Sequence, residues 1–253
     1  MDGYGASTYG ESFADVYDEW YEQIGDVEAS VDLLADLGDG GPALELGVGT
    51  GRISAPLSRR GLTTVGIDTS PAMLARLEHR NRGSGTQVTA VLADMTALPF
   101  GADTFRVAFA AYNTLFNLTD AGGAARCFED VRRVLRPDGT FVVESFVAGY
   151  DSGSHNGVEV RTIDIDRVVL TASVLNTEEQ TITGQHIEIR ESGIRLRPWF
   201  LRYLELDQLD AIAIANGMRL HERWAGWRRQ QFTAEAEMHV SLYRPAPRYP
   251  TGR

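Results

Sequence analysis

Residues 43–52, with the sequence ALELGVGTGR, decide the fold of this chain. The apolar run at their start predicts a buried strand, and the glycines that follow predict a tight turn into a helix. Glycine tolerates backbone conformations that other residues avoid, and its lack of a side chain lets a ligand approach the main chain. A second apolar run, residues 62–67, ends at Asp68. An acid about 20 residues beyond such a turn is typical of α/β folds that bind a ribose.

This segment differs from the dinucleotide-binding pattern in two ways, and both indicate which ligand it binds. The glycines Gly47, Gly49 and Gly51 follow the spacing GxGxG instead of GxGxxG, and Glu45 lies in the strand just before them. A carboxylate at that position would repel a pyrophosphate but would attract a cationic amine. A ligand with a ribose, an ammonium group and no phosphate meets these demands, and S-adenosylmethionine is such a ligand. A nicotinamide-dependent dehydrogenase is a distant alternative.

Three further strands continue the alternation of strand and helix. Residues 88–92 form an apolar run that is followed by Asp94 and Met95. The carboxylate can accept a hydrogen bond from an adenine amino group, and the methionine can pack on the purine ring. Residues 106–112 and 141–144 are predicted to be the fourth and fifth strands. Such alternation is typical of a parallel sheet that is covered by helices.

In their order and spacing, these segments resemble the class I S-adenosylmethionine-dependent methyltransferases. The matching motifs are LELGVGTGR, GIDTS, LADM, LPF…DTF and LRPDGTFVVE, and they lie between residues 41 and 146. The resemblance implies an α/β fold with a Rossmann-like seven-stranded sheet in the order 3-2-1-4-5-7-6, and S-adenosyl-L-methionine as the cofactor. We expect no metal ion. The predicted cofactor-binding residues are Tyr17, Glu45, Gly47, Gly49, Gly51, Asp68, Thr69, Met73, Asp94, Met95 and Tyr112.

Plain structural roles remain open for several of these residues. Glu45 could interact with the N-terminus of the helix after the glycine turn, where negative charge is favoured. Asp68 could cap the helix that starts at Ser70. Asp94 could be a turn residue, and Tyr17, like Tyr9 before it, could be a core aromatic.

After the fifth strand the pattern changes to short β-branched segments with polar breaks, which predicts an inserted antiparallel meander. The four segments are residues 158–165, 168–175, 181–189 and 194–203. Before the glycine turn, aromatic residues at helical spacing predict one helix at residues 13–21, and a second helix is predicted at residues 27–37. After the meander we predict a helix at residues 206–216 and strands at residues 218–224 and 238–243.

These patterns divide the chain into three parts. Residues 1–148 and 204–244 form the predicted methyltransferase core, residues 149–203 form an antiparallel β lid, and residues 245–253 form a flexible tail.

The lid resembles that of one branch of the family, the deoxyamino-sugar N,N-dimethyltransferases and the glycine/sarcosine-type N-methyltransferases, in which the insert covers the substrate. Tyr9 and Tyr17 resemble two tyrosines that border the methionine end of the cofactor there. In several sugar N-methyltransferases a histidine follows the fourth strand, and this chain has Asn117 at the matching place. Asparagine can orient an amine or a hydroxyl but cannot act as a base.

Topology indicates where the acceptor binds. In open α/β sheets, ligands bind beyond the carboxyl ends of the strands. The loop after the fourth strand, the connection between the last two strands and the lid all lie there. The predicted substrate-binding residues are Asn113, Trp199, Trp227 and Phe232. Arg202 and His186 are further candidates in the lid, with a structural role favoured for His186.

The predicted catalytic residues are Tyr9, Asn117 and His239. The identity of any general base stays open. For His239, a structural role within its strand is equally open.

Composition narrows the function further. The chain has 253 residues and a net charge of −11, so it lacks the basic footprint that nucleic-acid binding requires. Its single cysteine, Cys127, fits a reducing compartment, and no apolar run approaches the length of a membrane span. We therefore expect a cytoplasmic protein with a small-molecule acceptor and with no nucleic-acid or membrane partner. A homodimer is left open.

The sequence thus predicts N- or O-methylation of a small molecule in natural-product biosynthesis. The absence of a histidine at Asn117 slightly favours an amine acceptor, because a neutral amine needs little help from a base. One alternative is a carboxyl or carbon methyltransferase on the same fold. The other is a non-catalytic partner protein that binds S-adenosylmethionine.

Overall fold

Two β-sheets organise the fold, which is described by a computed structural model for residues 1–21, 24–148 and 156–247. The strands in chain order are β1 (Ala43–Leu46), β2 (Thr64–Asp68), β3 (Val88–Leu92), β4 (Phe105–Ala110), β5 (Leu135–Phe146), β6 (Gly157–Ile163), β7 (Arg167–Asn176), β8 (Thr181–Arg190), β9 (Gly193–Arg202), β10 (Met218–Trp224) and β11 (Met238–Pro245). The helices are α1 (Thr8–Phe13), α2 (Tyr17–Tyr21), α3 (Val27–Gly38), α4 (Ser54–Arg59), α5 (Pro71–Ser84), α6 (Gly123–Val134) and α7 (Leu206–Ala215), with a 3₁₀ turn at Thr114–Asn117.

The larger sheet has the order β3-β2-β1-β4-β5-β11-β10. Strands β1 to β5 pair in parallel, whereas β11 is antiparallel to both β5 and β10. Since β10 and β11 are the sixth and seventh strands of this sheet, the predicted order 3-2-1-4-5-7-6 is confirmed. The parallel arrangement brings the carboxyl ends of β1 to β4 to one edge.

The sheet is buried on both faces, which explains why its central strands are nearly continuous apolar runs. On one face Leu44 and Leu46 belong to a cluster with Phe128 of α6. On the other face Ala43 packs in a cluster with Leu34 of α3. These two layers hold the strand ends in fixed positions.

The smaller sheet is the inserted lid. Strands β6 to β9 form an antiparallel meander in simple sequential order, as predicted. The first of them ends at Ile163 instead of residue 165, because Asp164 N donates to Arg167 O and closes the turn.

The helix predicted at residues 13–21 is wrong, since the structure has two short helices there, α1 and α2. The break places Asp15 against the lid, where its carboxylate accepts from Arg197 Nη1 at 2.6 Å and from Arg197 Nη2 at 3.0 Å. The helix is thus interrupted at the place where Asp15 pairs with Arg197 of the lid, although the aromatic residues keep their helical spacing.

The structure describes only part of the predicted tail and of the predicted lid. Pro245 is the last residue of β11, and Ala246 N donates to Gly217 O at 2.8 Å. The rest of the predicted tail, residues 248–253, and the start of the predicted lid, residues 149–155, lie outside the described residues. Within the described ranges, none of the helices has the length and apolar character needed to cross a membrane.

Candidate active site

A cavity of about 290 Å³ opens at the carboxyl ends of β1 to β4, beneath the lid and the N-terminal helices. This volume is close to the lower end of the range for small-molecule sites, about 300 Å³. Twelve of the residues predicted from the sequence line it: Tyr9, Tyr17, Gly47, Gly49, Asp68, Thr69, Met73, Met95, Tyr112, Asn113, Asn117 and Trp199. The predicted cofactor motifs and the predicted acceptor loop therefore meet in one space.

The glycine turn forms the floor of this cavity. Gly47, Gly49 and Gly51 have φ of 66°, 54° and 81°, a region that other residues rarely adopt. A Cβ at Gly47 would lie 2.5 Å from Cγ2 of Thr114, whereas a Cβ at Gly49 would meet nothing nearer than 4.0 Å. Gly47 is therefore needed for packing, and Gly49 leaves its backbone open to a ligand.

Asp68 connects this turn to β2. Its Oδ2 accepts from Gly49 N at 2.9 Å, and its Oδ1 accepts from Ser70 N at 2.9 Å. Burial raises the pKa of Asp68 above its ordinary value, although the bonds from Ser70 and Gly49 act in the opposite direction. Each carboxylate oxygen can accept more than one hydrogen bond, so the side chain can still bind a ribose diol.

Glu45 is buried beneath the turn instead of lining the cavity. Its Oε2 accepts from Ser54 N at 3.1 Å and also from the Ser54 hydroxyl. Burial raises the pKa of Glu45 to about 8. The alternative role at the N-terminus of the following helix is thus the one observed, and direct contact with the cofactor stays a prediction. Gly51 likewise does not line the cavity, because its α-carbon faces the side chain of Leu77.

At the end of β3, Ala93 and Met95 line the cavity but Asp94 does not. Its Oδ1 accepts from Thr96 N at 2.7 Å and from Thr96 Oγ1 at 2.8 Å, which is the turn role considered above. The purine contact of Asp94 therefore stays a prediction, whereas Met95 is in place to pack on an adenine ring.

The loop after β4 is strained and firmly held. Tyr112 and Asn113 have φ of 53° and 63°, which is unusual for side-chain-bearing residues. Tyr112 N donates to Glu144 Oε2 at 2.8 Å, and the indole of Trp227 donates to Glu144 Oε1 at 2.7 Å. Asn113 Oδ1 accepts from Phe146 N at 2.8 Å.

Trp227 therefore supports the cavity wall but does not form it, which corrects its predicted role in substrate binding. Phe232 is also absent from the wall, since it lies beside the guanidinium of Arg223 at 5.9 Å. Both residues follow β10, but neither side chain lines the cavity.

His239 is not placed for catalysis either. It is buried, its Nδ1 lies 2.8 Å from Ser241 Oγ, and burial lowers its pKa to about 3. The alternation of side chains along a strand puts His239 on the same face as Ser241 and Tyr243, which belongs to the α6 side of the core. The structural role considered for this histidine is the one observed.

His186 is the residue that sequence reasoning undervalued, because it lines the cavity from β8. Its Nδ1 lies 2.9 Å from Thr171 Oγ1, and burial, with smaller effects of Arg161 and Arg197, lowers its pKa to about 4. The signal was the alternation of the meander, which puts His186 on the same face as Trp199. Arg202 does not line the cavity, as it donates to Thr119 O and Glu179 O.

Aromatic rings surround the remaining space. The Tyr9 and Tyr17 rings lie 6.5 Å apart edge to face, and the Tyr17 and Tyr21 rings lie 4.9 Å apart. The guanidinium of Arg52 lies 3.8 Å from the centre of the Tyr112 ring. Burial raises the pKa of Tyr9 well above its ordinary value and that of Tyr112 to about 12. These phenols therefore stay neutral, and their rings can face a cation.

The buried side chain of Arg197 fastens the lid to the N-terminal segment. Arg197 donates to Ser12 O at 2.5 Å and to Glu188 Oε2 at 3.1 Å, in addition to its bonds to Asp15. Glu11 accepts from Ser70 Oγ at 2.7 Å, which ties α1 to the helix after Asp68. The cavity is thus closed by parts of the chain that are distant in sequence.

The residues present fit S-adenosylmethionine. Asp68 can hold the ribose, the open backbone at Gly49 admits the ligand, Met95 can cover the adenine, and the tyrosine rings suit a sulfonium cation.

Comparisons with known proteins agree with this geometry. A family model described as a methyltransferase domain matches residues 43–139, which include the glycine turn. The demethylmenaquinone methyltransferase of Corynebacterium kroppenstedtii is 35% identical over 107 residues, which are 42% of this chain and 42% of that protein. The chain spans less than half of the length of the curated relatives it matches.

Solved structures extend the similarity to most of the chain. CalS10, an amino pentose methyltransferase from Micromonospora echinaspora with bound cofactor, is 19% identical with a TM-score of 0.66, over 90% of this chain and 96% of its own, and shares the fold. The CcbJ methyltransferase from Streptomyces caelestis is 36% identical with a TM-score of 0.89, over 96% of this chain and 100% of its own. This chain therefore belongs to the S-adenosylmethionine-dependent methyltransferases, a family of enzymes, and S-adenosylmethionine is its cofactor.

Proposed function

We propose that this protein transfers the methyl group of S-adenosylmethionine to the nitrogen of a small-molecule amine. The observation that carries the proposal is the lack of a base at the acceptor end of the cavity. Among the described lining residues, Asp68 has the only carboxylate, and it belongs to the ribose end.

No other lining group can take a proton readily. The pKa of His186 is lowered to about 4, the Tyr9 phenol is already protonated, and Asn117 has no basic atom. An alcohol would have to lose its proton during the transfer, so such a site serves it poorly. A neutral amine has a free lone pair and needs no base.

Burial also favours the reactive form of an amine. Desolvation disfavours a charged ammonium group, so transfer of the amine from water into the cavity lowers the pKa of the amine. The amine lone pair then forms the new nitrogen–carbon bond while the carbon–sulfur bond breaks and its electrons remain on sulfur. Alignment of the reacting atoms can contribute about 7–11 kcal/mol. The cofactor supplies the activated methyl group, and the protein supplies the alignment.

A small acceptor suits both the limited volume of the cavity and the charge of −11, which opposes binding to nucleic acids. We further propose natural-product biosynthesis as the setting, because the shared fold includes CalS10, whose role is in calicheamicin biosynthesis.

Matched acceptors test this proposal. Release of S-adenosylhomocysteine is measured with pairs of compounds that share one skeleton and differ only in an amine or a hydroxyl group, with a carboxylic acid and an activated-carbon compound beside them. We expect turnover of the amine at least ~100-fold above that of its hydroxyl partner, since base catalysis contributes about 10²–10⁴-fold. The fully methylated amine is the control that should give no turnover.

Comparable turnover of the hydroxyl, carboxyl or carbon acceptor would contradict N-methylation. Tight cofactor binding without turnover of any acceptor would favour the non-catalytic partner protein.

A further inference from the structure

A second cavity, of about 630 Å³, lies at the edge of the larger sheet opposite the candidate active site, and we term it the arginine cleft. It is formed where β4, β5 and β10 begin and β11 ends, together with the last turns of α3 and α6. Small-molecule sites have volumes of about 300–1,000 Å³, so the cleft is large enough for a ligand. Among the described residues, its charged lining consists of four arginines and two aspartates: Arg106, Arg132, Arg219, Arg244, Asp36 and Asp138.

The cleft has an excess of positive charge, although the chain as a whole carries −11. Both aspartates already have an arginine of their own. Asp138 Oδ2 lies 2.5 Å from Arg106 Nη1, and Asp36 Oδ2 lies 3.5 Å from Arg229 Nη2. The other three arginines of the cleft form no ion pair and no side-chain hydrogen bond with any described residue: Arg132, Arg219 and Arg244.

Two of these arginines face each other across neighbouring strands. Arg219 of β10 lies directly opposite Arg244 of β11, so the two side chains share one face of the sheet. Like charges at opposite positions destabilise strand pairing. In addition, Nε of Arg244 is buried and has no hydrogen-bond partner among the described residues, which is costly for a donor. An anion held by both guanidinium groups would remove both costs.

Ordinary structural roles explain only part of this arrangement. Arg132 lies in the last turn of α6, where positive charge is favoured. Arg219 lies on the edge strand β10, where a charged residue opposes pairing with a foreign strand. Neither reason applies to Arg244, because β11 is an inner strand between β5 and β10. Arg244 is therefore the residue that points to a ligand.

We propose that the arginine cleft binds the phosphate or diphosphate group of a small phosphorylated molecule. A guanidinium group matches phosphate oxygens with two parallel hydrogen bonds, and one multiply charged anion neutralises several arginines at once. The charge of −11 opposes binding of a nucleic acid, so the ligand is small. This site is separate from the methyl-transfer cavity, because the six residues of β4 set the two edges of the sheet about 20 Å apart.

Calorimetric titration of the full chain with pyrophosphate tests the proposal. Saturating S-adenosylhomocysteine keeps the probe out of the candidate active site, and sodium chloride keeps the ionic strength constant. We expect one saturable site in the wild type. Arg244→Gln and Arg219→Gln should each raise the dissociation constant by at least ~10-fold, because each removes a charged hydrogen-bond donor. The matched control Arg76→Gln makes the same charge change at an exposed position on α5 and should bind within about 2-fold of the wild type.

Unfolding in urea at low salt gives a readout that a merely structural arginine would not give. Without pyrophosphate, Arg219→Gln should be at least as stable as the wild type, because the like-charge pair is gone. With pyrophosphate, the wild type should become the more stable of the two, because the ligand binds its folded state more tightly. A structural role alone would make the variant less stable in both conditions.

Folding of each variant is checked by its thermal stabilisation with S-adenosylhomocysteine. A wild type without saturable binding, or folded Arg244→Gln and Arg219→Gln variants that bind as tightly as the wild type, would overturn the proposal. An equal loss of affinity in Arg76→Gln would also overturn it, because the effect would then come from overall charge. Tighter binding of malonate than of pyrophosphate would assign the cleft to a dicarboxylate instead of a phosphate.

Discussion

Replacement of Asp68 with asparagine tests the ribose site at its most specific point. The carboxylate accepts from Gly49 N and Ser70 N, each at 2.9 Å, so it also holds the glycine turn in place. Alanine would remove both bonds and mix the loss of a ligand contact with a loosened turn. Asparagine keeps the shape and one oxygen acceptor but removes the negative charge.

The expected effect follows from these contacts. A hydrogen bond to a charged group contributes about 1.5–3 kcal/mol, so the loss of the charged ribose acceptor should weaken cofactor binding by about 10- to 100-fold. One backbone N–H of the turn would also face an amide NH₂ group, which should lower stability by about 1–3 kcal/mol. For a chain of this size, that corresponds to a decrease in Tm of roughly 2–12 °C.

Calorimetric titration with S-adenosylhomocysteine measures the affinity of the Asp68→Asn variant. The matched control is Asp39→Asn, which makes the same charge change at an exposed position after α3 with φ of 44°, a conformation that asparagine tolerates. We expect the control to bind within about 2-fold of the wild type, because no contact reaches the cavity. An unchanged dissociation constant for folded Asp68→Asn would refute the ribose assignment.

Three further predictions concern single residues. Gly49→Ala should weaken cofactor binding by at least ~10-fold in a titration. The φ of 54° at this position costs a side-chain-bearing residue about 1–2 kcal/mol, and the new methyl group would occupy ligand space. The control Gly85→Ala, at a position with φ of 66° and open surroundings, should lower the stability of the fold but leave cofactor binding unchanged. His186→Phe should lower kcat/KM for the acceptor by at least ~10-fold and leave the cofactor dissociation constant unchanged, because a polar group is lost from the acceptor wall alone. In urea unfolding, the ligand-free wild type should lose stability relative to Glu45→Gln as the pH rises from 4.5 to 8. The pKa of Glu45 is raised from 4.5 to about 8 in the folded chain. Between these two pH values the folded chain therefore binds more protons than the unfolded chain, so its stability falls as the pH rises.

Each of these predictions has a contrary outcome. Equal losses of affinity in both glycine variants would show that Gly49 has no special relation to the ligand. A weakened cofactor affinity in His186→Phe would move this residue to the cofactor site. A stability difference between Glu45→Gln and the wild type that stays constant with pH would mean that the buried carboxyl group has an ordinary pKa.

The parts of the site that could be predicted are those encoded by local sequence. The turn at Gly47 and Gly49 and the acid at Asp68 follow directly from a strand, a required positive φ and a second strand, and all three line the cavity. The order of the sheet followed from the family resemblance. The lid was visible as a change from helical to strand periodicity.

The remaining side chains depend on packing that no local pattern encodes. Trp227 belongs to the predicted segment, but its indole donates to Glu144 and so faces the core. His239 lies on the face of β11 that packs towards α6, with its Nδ1 beside Ser241 Oγ, and the sequence does not show which face that is. His186 required knowledge of which face of the meander covers the strand ends. The strained conformation of Tyr112 and Asn113 is likewise fixed by Glu144 and Phe146, which lie more than 30 positions away.

The pH dependence of methyl transfer tests the central claim most directly. At saturating cofactor, kcat/KM is measured for two amine acceptors that differ mainly in the pKa of the amine. We expect each profile to rise with the ionisation of its own acceptor, so that the two midpoints differ as the amines do. A midpoint between pH 5 and 9 that is the same for both acceptors would reveal a general base in the enzyme and contradict base-free N-methylation.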